Sequence, residues 1–327
     1  MLKIGNIELE QPFIQSPLSG YSDRAMRALA RKFGCELTFS GVLLAKSACH
    51  RPLFKKKNYR IAEDEHPVGA QILGTEPDVM VKAALTLQDV GYDVICLNYA
   101  CPAPKVLRRG RGGAMLKNPD LAIEIFKCVR DAVDCPVTVK IRTGFGKNSE
   151  SQENFWEICE RLAAENIDAI TVHGRAITSM YRGKADWDVP AELKKKLPHI
   201  TIIGSGDLFD AEETINKLKT SGLDGVAIAR GAIGAPWIYR QLSDVLAGKT
   251  GDEIYVPSVK EQGEIILLHY EMLSELYYVQ KSVKYFRKFL ANYCKVHPER
   301  KKAHCELMAA ITADELREVI KKYYDVE

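Results

Sequence analysis

Between residue 12 and about residue 247 the apolar positions alternate between two rhythms. Short β-rich runs occur at Pro12 to Ser16, Leu37 to Ser40, Val68 to Leu73, Val94 to Leu97, Val137 to Ile141, Ala169 to Val172, Ile200 to Ile203 and Gly225 to Ala229. Amphipathic segments of helical length separate them. Strands with intervening helices, eight of each over about 240 residues, predict an α/β fold of the (β/α)8 TIM-barrel type. An open, doubly wound sheet is the rival, and the strand count disfavours it. Helix starts are marked at Ser22-Asp23, Glu76-Pro77, Asn118-Pro119 and Phe209-Asp210, where proline or an acid suits the unpaired first-turn amides. Residues 2 to 11 predict a small hairpin plugging the barrel bottom. After Gly251 the rhythm stops, and long helical segments run from Ser258 to the C-terminus. The expected division is therefore a catalytic barrel at 1–250 and a small all-helical domain at 251–327.

In such barrels the active site lies at the carboxyl ends of the strands. That rule gathers Ser16-Pro17-Leu18-Ser19-Gly20 after strand one, Gln71 on three, Asn98 and Cys101 on four, and Lys140 and Arg142 on five. It adds His173-Gly174-Arg175 on six, Ser205-Gly206-Asp207 on seven and Ala229-Arg230-Gly231 on eight. Any one of these alone reads as a loop residue or a satisfied core polar group; seven such ends converging on one mouth do not.

Composition narrows the class. The chain has 327 residues, 46% of them hydrophobic, and a net charge of +3. No apolar run approaches the ~18 residues of a membrane span, and the N-terminus shows no secretory pattern. Nine cysteines are scattered without a Cys-x-x-Cys pair, which fits reduced thiols in the cytoplasm and gives no metal-site spacing. No metal and no membrane partner are expected, and the chain is expected to be a monomer.

Asn98-Tyr99-Ala100-Cys101-Pro102 ends a buried strand and runs into the basic, glycine-rich stretch Lys105 to Gly113. Pro102 biases Cys101 toward extended backbone, which gives its thiol a defined direction. As a neutral thiol it can donate a proton; nearby cations favour thiolate, which suits a nucleophile or metal ligand instead. Both remain open at this point, beside the plain alternative of a small core residue. Lys140 lies inside the apolar strand Pro136 to Ile141 and must meet an anion or lose its charge. Ser205 to Asp207 and Ala229-Arg230 stand where barrels bind phosphate. A phosphate at one end and an anionic ring at the other point to FMN.

These segments resemble the dihydrouridine synthase family of flavin enzymes, in order and over roughly residues 12 to 300. Ser16-Pro17-Leu18-Ser19-Gly20-Tyr21-Ser22-Asp23 is similar to the family's opening motif. Asn98-Tyr99-Ala100-Cys101-Pro102, with Lys105-Val106 and Gly112 to Leu116, is similar to its most diagnostic block. Lys140 to Phe145, Val172 to Arg175, Gly183 to Trp187 and Ala229 to Gly231 follow in register. Ala100 stands where the family usually has Gly, Leu18-Ser19 replace Met-Ala, Ser205 replaces Asn, and Gly41 replaces an acid. The resemblance implies reduction of uridine to 5,6-dihydrouridine in RNA, with tRNA the expected substrate and NAD(P)H reducing the flavin. It implies Cys101 as proton donor. It implies FMN held by Ser16, Pro17, Leu18, Gln71, Lys140, His173, Ser205, Gly206, Asp207, Ala229 and Arg230. Asn98 would help place the uracil, with Arg175 or Arg182 at its developing enolate-like oxygen.

Between Val279 and Lys302 stand eight Lys or Arg (281, 284, 287, 288, 295, 300, 301 and 302) against the single acid Glu299, a local charge of +7. Lys281, Lys284 and Lys288 recur at helical spacing, with Tyr285, Phe286 and Phe289 interleaved. Lys284, Arg287 and Lys288 are thereby expected to contact RNA phosphates, and an ordinary solvated helix is the alternative. Two rival functions differ in their tests. A reductase of a small enone or free pyrimidine turns over without RNA, and a non-catalytic RNA-binding barrel is colourless.

Overall fold

The structure is a computed structural model that describes residues 1–326. Its strands are β1 (Leu2–Ile4), β2 (Ile7–Leu9), β3 (Phe13–Gln15), β4 (Thr38–Phe39), β5 (Leu43–Leu44) and β6 (Val68–Leu73), followed by β7 (Val94–Tyr99), β8 (Val137–Arg142), β9 (Ala169–His173), β10 (Ile202–Ser205) and β11 (Gly225–Ile228). Eight of them line up in parallel in the order β3-β11-β10-β9-β8-β7-β6-β4. The Gln15 N–H donates to the Leu37 carbonyl at 3.0 Å, so the first strand meets the second and the sheet curls into a nearly closed barrel. The short β5 pairs with the upper part of β6.

Strand side chains alternate between two surroundings. Ile95, Leu97, Val137, Val139, Ile141, Ile170, Val172, Val226 and Ile228 face outward into the main core with the helices. Ile14, Phe39, Val94, Cys96, Ala169, Ile203 and Ala227 face inward and form a separate inner core with Leu2, Ile4 and Leu9 of the β1–β2 hairpin. The expected floor plug is thus present. Two residues up from Ile14, Cys96, Ala169 and Ile203 stand Ser16, Asn98, Thr171 and Ser205, with Lys140 paired to Asn98 in the same layer, so polarity rises toward the mouth.

One strand is displaced from its expected window. Ile200 closes the turn after the helix Asp188–Lys196, its N–H on the Leu197 carbonyl at 3.1 Å. The Thr201 hydroxyl donates to the Lys3 carbonyl at 2.8 Å. The strand therefore begins at Ile202, paired with Ile170, and ends at Ser205, paired with His173. Ser205 is a strand residue rather than a loop residue. The expected helix starts hold: Asp23, Asn118 and Asp210 each accept a first-turn N–H, and Pro77 begins its helix.

Four helices follow the barrel, at Val259–Leu276, Val279–Tyr293, Arg300–Ala309 and Ala313–Tyr324. The first packs on the barrel helix Arg24–Lys32. Phe286, Phe289 and Tyr293 are buried in the same continuous core as Trp237 and Tyr239. Tyr21, from the loop after β3, meets Phe289 edge to face with ring centroids 5.5 Å apart. The tail is therefore seated against one side of the barrel mouth. No helix among the described residues is long and apolar enough to cross a membrane.

Candidate active site

Sheet register builds the site. Gln71 pairs with Cys96 across β6 and β7, Asn98 with Lys140 across β7 and β8, and Arg142 with His173 across β8 and β9. These neighbours share the upper layers of the barrel. Asn98 is the hub: its Nδ2 donates to Gln71 Oε1 at 2.6 Å. Its Oδ1 accepts the backbone N–H groups of Ala100 at 3.1 Å and Cys101 at 3.0 Å. Gln71 in turn donates to Cys96 Sγ at 3.2 Å. An amide thus folds back over the chain that follows it and fixes where the Cys101 thiol starts.

Two glycines close in on that thiol. A Cβ at Gly112, which lies at φ +60°, would stand 2.9 Å from Cys101 Cβ, and one at Gly113 would stand 3.1 Å from the Cys101 carbonyl. That carbonyl accepts the Gly113 N–H at 3.1 Å. The basic glycine-rich stretch is therefore a wall built against Cys101, and Cys101 itself is half-buried. Among the described residues no three His, Cys, Asp or Glu side chains gather where they could share a metal.

Lys140 projects into the mouth with its Nζ buried and without a partner. Burial lowers its pKa to about 8, helped by Arg142 and opposed by Cys96. Ser16 Oγ, just after β3 on the opposite side of the barrel, is likewise buried and unpartnered. A buried cation and a hydroxyl left open on one mouth fit a bound group that offers acceptors and negative charge. His173 is pushed down to about 2 by burial and by the surrounding cations Lys140, Arg142, Arg175 and Arg230. It is neutral and offers a hydrogen bond without charge.

Several expected ligand-holding side chains turn out to brace the loops. Arg175 donates to Asp207 Oδ2 at 2.5 Å and to the carbonyls of Gly183 at 2.6 Å and Arg182 at 3.3 Å. Its guanidinium is buried and committed to these three oxygens. Asp207 also accepts the Ala185 N–H at 2.8 Å. Burial raises its pKa, but these donors and Arg230 outweigh that and hold the carboxyl below its usual range. Ser205 Oγ donates to the Ala227 carbonyl at 3.2 Å. Gly206 sits at φ +120°, and a Cβ there would come within 2.7 Å of Ala185, so only glycine fits this turn. What Ser205, Gly206 and Asp207 can present to a phosphate is their backbone. Leu18 and Pro17 continue that rim after Ser16, and the Leu18 N–H is held by Ser22 Oγ at 2.9 Å.

Arg230, just after Ala229, is a partly exposed cation on this side. It stands 3.6 Å from Asp207 and stacks over Tyr181 at 4.5 Å and Phe209 at 5.3 Å. Arg182 is exposed, with one bond to the Thr178 carbonyl at 3.2 Å. Sequence reading passes over Tyr181, an exposed ring that Arg142 also approaches, at 5.6 Å. The preceding Met180 has φ +50°, which turns the loop so that Tyr181 faces the two arginines. Nothing in the residue types announces that backbone conformation. Arg142 is held by the carbonyls of Ala176 at 3.1 Å and Met180 at 2.7 Å. Burial lowers its pKa to about 10, so it remains charged at neutral pH.

The expected RNA-binding residues separate into two groups. Lys281 and Lys284 are exposed. Arg287 instead donates to the Ala310 carbonyl at 2.8 Å, between two tail helices. Lys288 bonds the Gly20 carbonyl of the loop after β3 and lies 5.2 Å from the Tyr21 ring. Both are joints of the fold rather than open phosphate contacts. Helical spacing alone does not reveal this, because the inward turn of Arg287 depends on where the following helix ends.

Comparison with known proteins agrees with this architecture. The family profile described as "Dihydrouridine synthase (Dus)" matches residues 14–325. The chain is 35% identical over 294 residues to a "Probable tRNA-dihydrouridine synthase" of Rickettsia conorii, covering 90% of this chain and 87% of that one. It is 33% identical to "tRNA-dihydrouridine synthase B" of Pasteurella multocida, covering 89% and 86%. Among solved structures, histamine dehydrogenase from Rhizobium sp. 4-9 superposes with TM-score 0.58 at 14% identity over 83% of this chain. A 2-naphthoyl-CoA reductase complex does so with TM-score 0.59 at 15% identity over 77%. This chain spans about half the length of each (50% and 52%), and at such identities the likeness shows the shared fold alone. The profile match over nearly the whole chain, together with relatives above 30% identity along their length, shows that this chain belongs to the dihydrouridine synthase family.

Proposed function

We propose that this chain reduces uridine in tRNA to 5,6-dihydrouridine, with FMN as its flavin and NAD(P)H as the source of electrons. Family membership makes the chain a flavin-dependent oxidoreductase, and its relatives are named for tRNA. The observation that carries the reading is the pairing of a positioned thiol, Cys101 on its Asn98 clamp, with the buried, unpartnered Lys140 Nζ in the same mouth. Lys140, Ser16 and neutral His173 would line the flavin ring. The backbone from Ser205 to Asp207, with Ala229 and Arg230, would take its phosphate.

A bound, reduced flavin supplies a hydride to C6 of the uracil. The protein must then place one proton on C5 and carry the charge that builds on the C4 oxygen. Cys101 gives the proton from Sγ, a step in which positioned donors contribute about 10²–10⁴-fold, and water returns it to the thiolate. Asn98 has spent Oδ1 and one N–H, which leaves its second N–H for a uracil carbonyl. With Arg175 committed to Asp207, positive charge near the developing oxygen falls to Arg142. Tyr181 offers an exposed ring for the extruded base. The test is direct: the protein is incubated with FMN, NADPH and an unmodified tRNA transcript, and the RNA is digested for mass analysis. A gain of two hydrogens on a uridine supports the reading. A transcript unchanged in mass, from protein that holds flavin and oxidises NADPH, sinks it.

A further inference from the structure

A second slot opens at the same end of the barrel, where the loops after β3, β4 and β5 meet the tail helices. It encloses about 110 Å³ and is walled by Tyr21, Tyr59 and Tyr277, with Asp23 and Asn58 at its polar edge. Tyr277 is backed by the exposed Tyr285, the rings nearly parallel at 23° with centroids 4.5 Å apart. Asp23 is only 9% exposed. Its Oδ1 is used to cap the following helix, whereas its Oδ2 is buried without a partner, as is Oδ1 of Asn58. Two acceptors between aromatic walls are left waiting for donors.

We infer that this slot takes one nucleobase of the RNA, a neighbour of the reduced uridine, stacked on tyrosine and donating an amino group to Asp23 and Asn58. The inference rests on the proposed function. Three observations select a base over other ligands. The walls are aromatic, as base-stacking platforms are. Lys288, tied to Gly20 next door, acts electrostatically against the Asp23 carboxyl, a balance that suits a neutral ring better than a phosphate. Finally, Lys281 lies one helical turn before Tyr285 and Lys284 directly beside it, both exposed, so the backbone of a bound strand would have cations at hand just outside. Amino-bearing bases (adenine, cytosine, guanine) meet the donor requirement.

The test is a cycle between protein and RNA. Single abasic sites are placed at each nucleotide flanking the uridine that gains two hydrogens, and binding to flavin-loaded wild type, Tyr277→Ala, Tyr285→Ala and Asn58→Ala is measured. One flanking abasic site is expected to weaken wild-type binding roughly 5- to 100-fold, the span for one base on an aromatic platform. That loss should vanish in Tyr277→Ala and shrink in Tyr285→Ala and Asn58→Ala. If Tyr277→Ala fails to fold, the two milder variants decide alone, since Tyr285 is exposed. Equal losses in wild type and variants at every position overturn the slot while leaving uridine reduction standing. Failure of wild type to bind the intact transcript overturns the proposed function itself.

Discussion

Asn98 Oδ1 accepts the backbone N–H of Cys101 at 3.0 Å, so a side chain on β7 sets the position of the thiol three residues further on. Asn98→Ala would strand the Ala100 and Cys101 amides in a buried loop, at a cost of about 1–3 kcal/mol for each group left unpaired. Flavin binding should weaken only modestly, because Lys140 and the phosphate loops do not depend on Asn98 and Gln71 alone loses a partner. Uridine reduction should fall about 100-fold, the scale of loss for a misplaced reacting group. Flavin absorbance and single-turnover rates with tRNA separate the two; loss of both together would mean that Asn98 supports the whole mouth.

Cys101→Ala removes the proposed acid itself. Reduction of the flavin by NADPH should continue, while oxidation of the reduced flavin by tRNA slows about 10²–10⁴-fold. Cys101→Ser should fall between, since a hydroxyl keeps a proton but gives it up less readily. A wild-type rate from Cys101→Ala would leave the thiol as packing only.

Lys140 governs a pH effect. Burial lowers its pKa to about 8 in the protein alone, so it is charged below that pH and neutral above it. Affinity for reduced flavin, which carries negative charge, should therefore be highest below pH 8 and decline above it. Lys140→Met should bind flavin more weakly and with a flat profile across this range. Titrating both proteins with FMN under dithionite at pH 6.5 to 9.5 checks the shape; identical profiles would remove Lys140 from the ring.

The barrel was legible because period-two alternation and helix starts agree with the strand order at every step. Seven of the eight strands, the floor hairpin and the tail of helices lie where apolar spacing puts them, and β10 alone is shifted. The candidate site was legible to the extent that strand ends define it: Gln71, Asn98, Lys140 and His173 do meet in one mouth. Sequence could not show how polar side chains are shared among themselves. Arg175 and Asp207 look like ligand contacts as residue types, yet they find each other across loops separated by a whole β/α unit. Tyr181 was invisible for a similar reason, since its direction follows from a positive φ at Met180. The two-residue shift of β10 arises from the hairpin, whose Lys3 carbonyl captures Thr201, a contact between residues almost 200 positions apart.

His269 predicts an acid weakness in the tail. It is buried among Phe286, Phe289 and Tyr293, with Nδ1 at 2.9 Å from the Tyr293 hydroxyl. Burial, with Lys288 adding, lowers its pKa to about 3. Between about pH 6.5 and pH 3 the unfolded chain binds a proton here that the folded chain does not, so stability falls as pH falls through that window. At pH 5 the loss is about 2 kcal/mol from this group. Chemical denaturation of wild type and His269→Gln at pH 7 and pH 5 should show a smaller pH dependence in the variant, whatever its stability at pH 7.

The basic tail yields the last prediction, and the structure changes which residues carry it. Lys281 and Lys284 are exposed on the helix Val279–Tyr293, whereas Arg287 holds the Ala310 carbonyl and Lys288 holds the loop after β3. Reversing the exposed pair, Lys281→Glu with Lys284→Glu, should leave the melting temperature and flavin content close to wild type. It should weaken tRNA binding at least tenfold at low salt. It should also flatten the log–log salt dependence by roughly 0.7–0.9 per lost phosphate contact. Arg287→Glu and Lys288→Glu should behave differently, lowering the melting temperature because each breaks a joint of the tail and places a new charge against a carbonyl. A helix that serves only as a solvated face would give the opposite result for the exposed pair, with affinity and slope both unchanged. Measuring affinity at several salt concentrations beside thermal melts tells the two groups apart, because electrostatic steering by free lysines responds to salt and a broken joint responds to heat.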